Sequence, residues 1–352
     1  LVNVEKSKAE IYKTTKGATH SIYQKLRDAN TPGLVLFSSG STGKSKAAVH
    51  DFSFLLNKFK VRKQQKRILA FLLFDHIGGI NTLLYTLSNG GCLVTTHDRT
   101  PERIAEIIDR YKVQILPTSP TFLNLLLLRN VFEKHSLSTL ETITYGTEVM
   151  SESTLQRVHQ KLPMVKLQQT YGLSEVGILR SQSEANDSLW VRIGGEGFET
   201  RVVDDLLEIK AESAMLGYLN APSPFTDDGW FKTGDAVEVK GDYFKILGRK
   251  SEIINVGGEK VYPAEVESLI LSLDGVEDVI VSGEKNPILG NIVVARVCLK
   301  SPEDQSKFKI RLRKYLSSKC EAFKIPQKIV VSDRVLHSAR FKKLRNMGDK
   351  QI

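Results

Sequence analysis

The sequence predicts an α/β protein with a large N-terminal region and a small α+β domain behind it. Three observations support this prediction. Short apolar runs alternate with helical patterns between residues 68 and 161, which favours a largely parallel, helix-covered sheet. Between residues 190 and 245 the pattern shortens to alternating strands, typical of a small antiparallel or barrel-like subdomain. A second α/β pattern follows Arg249, so we place the domain boundary between residues 1–249 and 250–352.

The individual elements are predicted from periodicity and from the residues at their ends. The predicted strands are residues 34–37, 68–74, 92–95, 113–116, 142–145, 199–203, 206–210, 243–247, 276–282 and 291–299. The predicted helices are residues 47–59, 101–111, 121–132, 151–161, 263–273 and 307–318. Pro101 suits a first helical turn after Thr100 as the cap, and the strand at residues 34–37 is expected to be covered on both faces.

Ligands of parallel sheets bind at the carboxyl ends of the strands. Polar, glycine-containing clusters occur at these predicted ends. Five loops are therefore expected to line one site, and they begin after Phe37, Phe74, Leu116, Tyr145 and Gln169.

Composition indicates an ordinary globular protein. The chain has 352 residues, of which 41% are hydrophobic and 26% charged, and two domains are expected at this length. No apolar run is long enough to span a bilayer, and the beginning of the sequence does not resemble a signal peptide, so we expect no transmembrane segment and a cytoplasmic location. The chain begins at Leu1, which suggests a fragment or a processed form.

Charge disfavours a nucleic-acid-binding protein, and cysteine content disfavours a disulfide-rich or zinc-binding one. The net charge is +10, but basic residues are interspersed with acidic ones and no nucleic-acid-binding module is recognisable, so no nucleic-acid partner is expected. Cys92, Cys298 and Cys320 are widely spaced, which indicates reduced thiols rather than a disulfide framework or a zinc site.

A polar segment that follows the first predicted strand has the composition of a phosphate-binding loop. The segment is Ser38, Ser39, Gly40, Ser41, Thr42 and Gly43, followed by Lys44 and Lys46. Glycines let backbone N–H groups point at one anion, while hydroxyls add donors and lysines add charge. A Walker loop is disfavoured because Ser38 occupies its first glycine position. A Ser/Gly-rich surface loop is the alternative.

This segment resembles the phosphate loop of the acyl-adenylate-forming superfamily, which includes acyl-CoA synthetases, nonribosomal-peptide adenylation domains and luciferases. The segment Thr170-Tyr171-Gly172-Leu173-Ser174-Glu175 resembles the Y-G-x-[TS]-E motif of that superfamily. The resemblance implies that Tyr171 stacks on adenine, that Ser174 contacts the α-phosphate and that Glu175 holds Mg²⁺. The alternative is a turn with a buried tyrosine and an exposed glutamate.

Two further segments resemble ribose-binding and hinge motifs of the superfamily. Residues 230–235 are similar to [YW]-x-T-G-D, which implies that Asp235 accepts hydrogen bonds from both ribose hydroxyls. Residues 248–251 match G-R-x-[DKS], which implies that Arg249 lies at the ribose and that Ser251 is the hinge of a mobile C-terminal lid domain.

Residues 255–267 resemble a segment common among CoA ligases, G-G-E-x-[IV]-x-P-x-E-[VI]-E. Peptide-synthetase relatives usually differ here, so the resemblance favours CoA over a carrier protein as acceptor. It implies that Gly257 and Gly258 border the passage for the pantetheine arm.

Residues 342–345 lie where relatives carry P-x-T-x-x-G-K-x-x-R. Spacing to Arg345 selects Lys342 as the catalytic lysine, which would stabilise charge on the α-phosphate. The sequence departs from the pattern, because Phe341 replaces the glycine and Ser338 replaces the threonine. Lys343 as the functional residue, or an impaired adenylation step, are the alternatives.

Two more segments are candidate lining residues. Tyr145, Gly146, Thr147 and Glu148 resemble the G-[GAS]-E stretch that borders adenine and the acyl pocket, and a plain strand-end turn is the alternative. His76 stands in place of the H-x-x-G histidine and is assigned to lining the acyl substrate rather than to chemistry, with a core histidine as the alternative.

The resemblance implies an ATP-dependent carboxylate–CoA ligase. A small-molecule carboxylic acid and ATP, with Mg²⁺, would give acyl-AMP and pyrophosphate, and CoA would then displace AMP. An enzyme that loads a carrier protein and a degenerate nucleotide-binding protein are the alternatives. The superfamily generally has a larger region before the phosphate loop, so either the first N-terminal subdomain is shortened or missing, or the chain is part of a longer one.

Overall fold

The computed structural model describes residues 2–3, 8–9, 17–39, 45–333, 336–338 and 340–345. The first elements along the chain are β1 (Val2–Asn3), β2 (Lys8–Ala9), α1 (Ser21–Ala29), β3 (Gly33–Ser39), β4 (Ser45–Asp51) and α2 (Phe52–Asn57). Strands β3 and β4 form an antiparallel hairpin in register from Gly33↔Asp51 to Ser39↔Ser45. The predicted phosphate-binding residues 40–44 lie outside the described residues.

Two predictions for this hairpin are wrong. The helix predicted from residue 47 begins only at Phe52, because Ala47–His50 belong to β4, which lies between β3 and a strand at Gly217–Tyr218. Asp51 caps the helix by accepting a hydrogen bond from the Ser53 amide at 2.9 Å. Strand β3 is not covered on both faces, since Phe37 is 61% exposed.

The predicted parallel sheet is present. Its elements are β5 (Arg67–Leu69), α3 (Ile77–Ser88), β6 (Cys92–Val94), α4 (Pro101–Tyr111), β7 (Ile115–Thr118), α5 (Pro120–Leu128), α6 (Val131–Lys134), β8 (Thr142–Tyr145), α7 (Glu152–Lys161) and β9 (Lys166–Gln169). The strand order is β6-β5-β7-β8-β9, with parallel pairing throughout. The chain therefore winds in both directions from β5, which is the topology of doubly wound nucleotide-binding sheets.

Three details of this sheet differ from expectation. Strand β5 ends at Leu69 rather than Phe74, and α5 and α6 replace one predicted helix because Asn130 between them adopts a left-handed conformation with φ of 51°. Strand β3, which precedes the predicted loop after Phe37, belongs to the separate hairpin sheet rather than to the parallel sheet.

The predicted antiparallel subdomain is confirmed. Its strands are β10 (Gly172–Leu173), β11 (Gly177–Ile178), β12 (Ser181–Ser183), β13 (Trp190–Ile193), β14 (Phe198–Val203), β15 (Leu206–Ala211), β16 (Gly217–Tyr218), β17 (Phe231–Lys240) and β18 (Tyr243–Arg249). A six-stranded sheet has the order β12-β13-β18-β17-β15-β14. Strand β16 follows β15 in the chain but pairs with β4 instead of joining this sheet, and so connects the subdomain to the hairpin.

The C-terminal part has its own sheet and core. Its elements are a 3₁₀ turn (Lys250–Glu252), β19 (Ile254–Val256), β20 (Glu259–Val261), α8 (Pro263–Leu271), β21 (Val276–Asn286), β22 (Gly290–Leu299), α9 (Gln305–Ser317), a second 3₁₀ turn (Ala322–Lys324) and β23 (Lys328–Val331). Helices α8 and α9 pack on this sheet through buried side chains such as Val266, Phe308 and Leu312. The boundary between residues 249 and 250 stays a prediction.

Across the part of the chain that the structure describes, no helix combines the length and the apolar character that crossing a bilayer requires.

Candidate active site

The buried residues Tyr171 and Asp235 form a polar cluster with the more exposed Arg249, at the last residue of β18. The Tyr171 hydroxyl donates a hydrogen bond to Asp235 Oδ2 at 2.5 Å, and Arg249 Nε lies 2.7 Å from Asp235 Oδ1. Burial raises the pKa of the Asp235 carboxyl above its usual value, although Arg249 and Tyr171 act in the opposite direction. The cluster therefore holds a carboxylate inside the protein that can accept further hydrogen bonds.

The register of these strands explains the cluster. Asp235 on β17 pairs directly with Arg249 on β18, and a Thr233 hydroxyl accepts the Asp235 amide proton at 3.0 Å. The Arg249 guanidinium also donates to the Thr233 carbonyl at 2.9 Å. Two separated sequence motifs are thus held opposite one another by the sheet. The ring of Tyr171 is only 7% exposed and packs in the core, so stacking on adenine stays a prediction.

Glu175 lies beside two residues of the hairpin sheet. Its Oε1 accepts a hydrogen bond from the Tyr218 hydroxyl at 2.6 Å, and the Lys46 ammonium lies 5.2 Å from the centroid of the Tyr218 ring. Glu175 itself is buried, with 9% exposure. Tyr218 thus connects Lys46, from the predicted phosphate-binding segment, to the carboxylate that is predicted to hold magnesium.

The backbone of Ser174 is fixed by a buried histidine on β4. His50 is fully buried, and its Nε2 donates to the Ser174 carbonyl at 2.6 Å. Burial lowers the pKa of His50, while the hydrogen bond to Ser174 acts in the opposite direction. A neutral imidazole therefore connects the hairpin to the turn that carries Ser174 and Glu175.

The ends of β8 and β9 approach each other closely at Gly146. A Cβ atom built on Gly146 would lie 2.6 Å from the Thr170 carbonyl oxygen, so only glycine fits there. The Thr170 amide and hydroxyl both donate to the Tyr145 carbonyl, at 2.7 and 3.1 Å. Thr147 follows with a φ of 73°, a conformation that is uncommon outside glycine and often marks functional loops.

Glu148 connects this loop to the C-terminal part. Its Oε2 accepts a hydrogen bond from the Thr121 hydroxyl at 2.6 Å, and its Oε1 accepts one from the Lys343 amide. Both carboxylate oxygens are engaged, so Glu148 faces residues 342–345, which we call the lysine segment. Its predicted contact with adenine is untested.

Lys342 and Lys343 have different environments. The Lys343 ammonium lies 3.0 Å from Glu267 Oε2 and donates to the Val279 carbonyl at 2.9 Å, with a side chain that is 14% exposed. The Lys342 amide donates to the Ser338 hydroxyl at 3.4 Å. Burial lowers the pKa of Lys342, and the charge of Glu148 acts in the opposite direction. Lys343 is thus committed to an ion pair with Glu267, and Lys342 stays the predicted catalytic lysine.

Glu267 anchors the lysine segment to the C-terminal core. Its side chain is 3% exposed, and Oε2 contacts both Lys343 and Arg345, the latter at 2.8 Å. Its Oε1 accepts the Val281 amide proton at 2.9 Å. These partners lower the pKa of Glu267, although burial alone would raise it.

His76 acts as the N-cap of α3. Its Nδ1 accepts a hydrogen bond from the Gly78 amide at 3.2 Å. Burial, with the positive charges of Lys342 and Arg340, lowers the pKa of His76 to about 4. His76 is therefore neutral near pH 7, beside the lysine segment, and its role in lining the acyl group stays a prediction.

Gly257 and Gly258 form the tight turn between β19 and β20. Their φ angles are 61° and 99°, and Val256 pairs with Glu259 across the turn. Two-residue hairpin turns of this kind require glycine for their own geometry. No atoms lie within 4 Å of a Cβ built on Gly258, which leaves its face open. Ser251, the predicted hinge, is exposed within the 3₁₀ turn after β18.

The sequence analysis missed Tyr218, His50 and Glu267. It also missed Phe71, Ser119 and Phe122, which contact Phe341 as described below. Tyr218 stands in an ordinary Leu-Gly-Tyr-Leu run that carries no chemical signal. Glu267 belongs to the motif at residues 255–267, in which only the glycines suggested a function. The predicted phosphate-binding residues 40–44 lie outside the described residues.

The charged residues suit a magnesium ion that arrives with a nucleotide. Among the described residues, no group of three or more His, Cys, Asp or Glu side chains gathers as a metal cage. Mg²⁺ in nucleotide sites is usually bound by one or two carboxylates together with substrate phosphates. Glu175, a buried carboxylate whose Oε1 is bound by the Tyr218 hydroxyl, fits that arrangement.

The structure joins the predicted site residues at two places. Arg249 Nε lies 2.7 Å from Asp235 Oδ1, and Glu148 of the 146–148 loop accepts the Lys343 amide proton. A doubly wound sheet, an antiparallel subdomain and a C-terminal lysine segment in contact with the sheet are the parts that the resemblance predicts for the class of adenylate-forming enzymes.

The chain belongs to the AMP-binding enzyme family. The family's model matches residues 2–219, and the model of the AMP-binding enzyme C-terminal domain matches residues 265–342.

Curated relatives of the chain are CoA ligases. It is 27% identical over 338 residues to the indoleacetate–CoA ligase of Aromatoleum aromaticum, and this match covers 88% of the chain and 65% of the relative. It is also 27% identical to a 2-succinylbenzoate–CoA ligase of Listeria monocytogenes, with coverage of 91% of the chain and 70% of the relative. The chain thus spans about two thirds of the length of these proteins.

Solved structures of adenylate-forming enzymes have the same fold. An anthranilate CoA ligase in complex with anthranoyl-AMP matches with a TM-score of 0.76 at 23% identity, over 88% of this chain and 65% of that chain. The Bacillus subtilis o-succinylbenzoate CoA synthetase in complex with its acyl-adenylate matches with a TM-score of 0.71 at 24% identity, over 89% of this chain and 68% of that chain.

Proposed function

We propose that the chain carries the catalytic site of an ATP-dependent carboxylate–CoA ligase. The observation that supports this function best is that the 146–148 loop meets the C-terminal segment, where Glu148 Oε1 accepts the Lys343 amide proton next to Lys342. On the same part of the chain as that loop, the Asp235 carboxylate is held 2.7 Å from Arg249 Nε. The relatives' activity as CoA ligases agrees with the proposal.

In the first step the carboxylate of the acid attacks the α-phosphorus of ATP, and the bond to the β-phosphate oxygen breaks. The products are acyl-AMP and pyrophosphate. Lys342 stabilises the negative charge that grows on the α-phosphate oxygens, and Ser174 contacts the same phosphate. Asp235 and Arg249 hold the ribose, while Tyr171, Gly172, Thr170 and the 146–148 loop border the adenine and the acyl group.

The pyrophosphate end of ATP binds to the segment from Ser38 to Lys46. Within that segment Ser38, Ser39, Gly40, Ser41, Thr42 and Gly43 supply hydroxyl and amide donors. Lys46 supplies positive charge next to Tyr218, whose hydroxyl binds Glu175. Mg²⁺, held by Glu175, would neutralise phosphate charge.

In the second step the CoA thiol attacks the acyl carbon of acyl-AMP and AMP leaves. The C-terminal lid, residues 250–352, rotates about Ser251, withdraws Lys342 and presents Gly257 and Gly258 to the pantetheine arm. The open surface at Gly258 is compatible with this role. The acid lies near His76 and Tyr145 in both steps.

ATP–pyrophosphate exchange across a panel of carboxylic acids tests this function. The panel includes indoleacetate, 2-succinylbenzoate and anthranilate, together with short and long aliphatic acids. We expect exchange with at least one acid, and mass spectrometry should detect the CoA thioester once CoA is added. ATP binding without exchange for any acid would favour a nucleotide-binding protein without catalysis. Exchange without a CoA thioester, but with a loaded carrier protein, would contradict the choice of acceptor.

A further inference from the structure

Phe341 stands where the superfamily motif that this segment resembles has a glycine, and it adopts an unusual conformation. Its φ is 54°, in the left-handed region that bulky residues rarely occupy. The Phe341 amide donates to the Ser338 carbonyl at 2.9 Å, and the Ser338 amide donates to the Lys342 carbonyl at 2.8 Å. Since His337 also bridges to Lys343, Phe341 lies in the turn of a short hairpin that carries both lysines. We call described residues 336–338 and 340–345 the lysine hairpin.

The ring of Phe341 is inserted into the parallel-sheet region. Its centroid lies 5.4 Å from that of Phe71 and 5.0 Å from that of Phe122, which are 1% and 0% exposed. The Arg99 guanidinium lies 5.4 Å from the Phe341 centroid. These distances are typical of favourable aromatic and cation–π contacts.

The backbone of Phe341 is fixed at the same place. The Ser119 hydroxyl donates to the Phe341 carbonyl at 2.9 Å and accepts the Phe122 amide proton at 3.2 Å. Ser119 is fully buried at the N-terminus of α5. One hydroxyl therefore caps a helix and binds the lysine hairpin at once.

The residues that contact Phe341 lie at the topological switch point of the parallel sheet. Phe71 follows β5, while Ser119 and Phe122 follow β7, and the chain winds to opposite sides of these two neighbouring strands. Doubly wound sheets bind ligands in the crevice at this point. Here the crevice holds a side chain of the protein's own C-terminal part.

We propose that Phe341 is a positioning residue, which anchors the lysine hairpin in this crevice and so holds Lys342 at the site. The inference rests on the proposed function. Because the ring must leave the crevice before the C-terminal lid rotates, Phe341 favours the adenylation arrangement over the thioester-forming one. A purely structural ring would contribute to stability without distinguishing the two half-reactions.

Phe341→Gly tests the anchor, because it restores the glycine of the superfamily motif and removes both the ring and the backbone strain. With an acid that supports exchange, we expect kcat for ATP–pyrophosphate exchange to fall by about 10- to 100-fold while the KM for ATP changes little. Thioester formation from supplied acyl-AMP and CoA should be unchanged or faster. Phe341→Leu, which keeps apolar volume, should recover part of the exchange rate.

The control variant is Phe54→Ala, which removes a ring from α2 that is 47% exposed. It should leave both half-reactions and the melting temperature unchanged. If Phe341→Gly lowers both half-reactions equally, or leaves exchange at the wild-type rate, the positioning role is wrong.

Hydrogen–deuterium exchange without substrates provides a second test that does not depend on turnover. Phe341→Gly should increase exchange in residues 117–125 and 340–345, and Phe54→Ala should not. Unchanged protection in both segments would overturn the anchor, whether or not the wild-type protein activates any acid. If increased exchange in both segments accompanies a wild-type protein that is inactive with every acid, the anchor holds and the proposed function fails.

Discussion

The two sides of the candidate site are built in different ways. The nucleotide side, Lys46, Ser174, Glu175, Tyr218, Asp235 and Arg249, is held by contacts within residues 1–249, such as the bond from Tyr218 to Glu175. The lysine hairpin is held by contacts to both parts of the chain. Phe341 and Arg340 contact the parallel-sheet region, while Lys343 and Arg345 contact Glu267.

This difference indicates which side moves. A site whose partners all lie within residues 1–249 would stay assembled in the proposed rotation of the C-terminal part. The lysine hairpin keeps its Glu267 contacts in such a rotation and loses those of Phe341, Arg340 and the Lys343 amide. The exposed pair of Arg340 with Asp75, 50% and 55% exposed, contributes little to the docked arrangement. The packing of the Phe341 ring on buried Phe71 and Phe122, and the hydrogen bond from Ser119, are its main contacts.

The largest expected effect is a loss of ATP–pyrophosphate exchange that leaves ATP binding intact, which distinguishes the lysine hairpin from the nucleotide side. Lys342→Ala should reduce ATP–pyrophosphate exchange by about 10²–10³-fold, because it removes a charge aimed at the developing oxyanion. ATP affinity, measured by calorimetry, should stay close to that of the wild-type protein. Lys343→Met is the matched comparison, since it removes the neighbouring ammonium. If exchange depended on Lys343 and not on Lys342, the assignment of the catalytic lysine would be wrong.

The next effect concerns the fixed end of the lysine hairpin. Glu267→Gln removes the carboxylate that the largely buried Lys343 and Arg345 share, although Arg345 keeps its pair with Glu252 at 3.3 Å. We expect the substitution to lower the free energy of unfolding by about 3 kcal/mol. Urea denaturation followed by circular dichroism measures this loss. Glu284→Gln, which removes an exposed partner of Lys328, is the control and should change stability by less than about 1 kcal/mol. Equal effects of the two variants would contradict the anchoring role of Glu267.

A smaller effect is expected on the nucleotide side. Asp235→Asn removes the charge that pairs with Arg249, whose side chain is 46% exposed and therefore screened by solvent. We expect ATP affinity to fall about tenfold, which corresponds to the loss of one charge-assisted hydrogen bond. Glu238→Gln, at the exposed pair with Lys245, should leave the affinity unchanged. Unaltered ATP binding in Asp235→Asn would remove this residue from the ribose site.

The smallest effect is a change in pH dependence. Because burial lowers the pKa of Lys342, the lysine loses its proton at a lower pH than an exposed lysine, and exchange should decline correspondingly earlier on the alkaline side. Lys342→Arg, which stays protonated, should move this decline to higher pH even if its maximal rate is lower. An alkaline limb that is identical in the two proteins would show that another group controls it.

The sequence predicted those parts of the fold that depend on local patterns. The helix at 101–111 and the strand at 142–145 were predicted with their observed bounds, since apolar periodicity and Pro101 mark them locally. Strand β4 was mistaken for a helix because its second partner, β16, lies about 170 residues away in the chain. Pairing over such distances leaves no local signal.

The candidate site shows the same division. The motifs identified Glu175, Asp235, Arg249 and Lys342, because each carries a chemically distinctive residue in a characteristic spacing. The departure at Phe341 was visible in the sequence, but the crevice that receives its ring was not. That crevice arises from the crossing between β5 and β7, which only the assembled sheet defines.

The central claim is that the lysine hairpin serves the first half-reaction while the nucleotide side serves both. Single-turnover thioester formation from supplied acyl-AMP and CoA tests it most directly, in Lys342→Ala and Asp235→Asn. We predict that Lys342→Ala forms the thioester at the wild-type rate despite its loss of exchange, and that Asp235→Asn is slowed at subsaturating acyl-AMP. A loss of thioester formation in Lys342→Ala comparable to its loss of exchange would contradict the account.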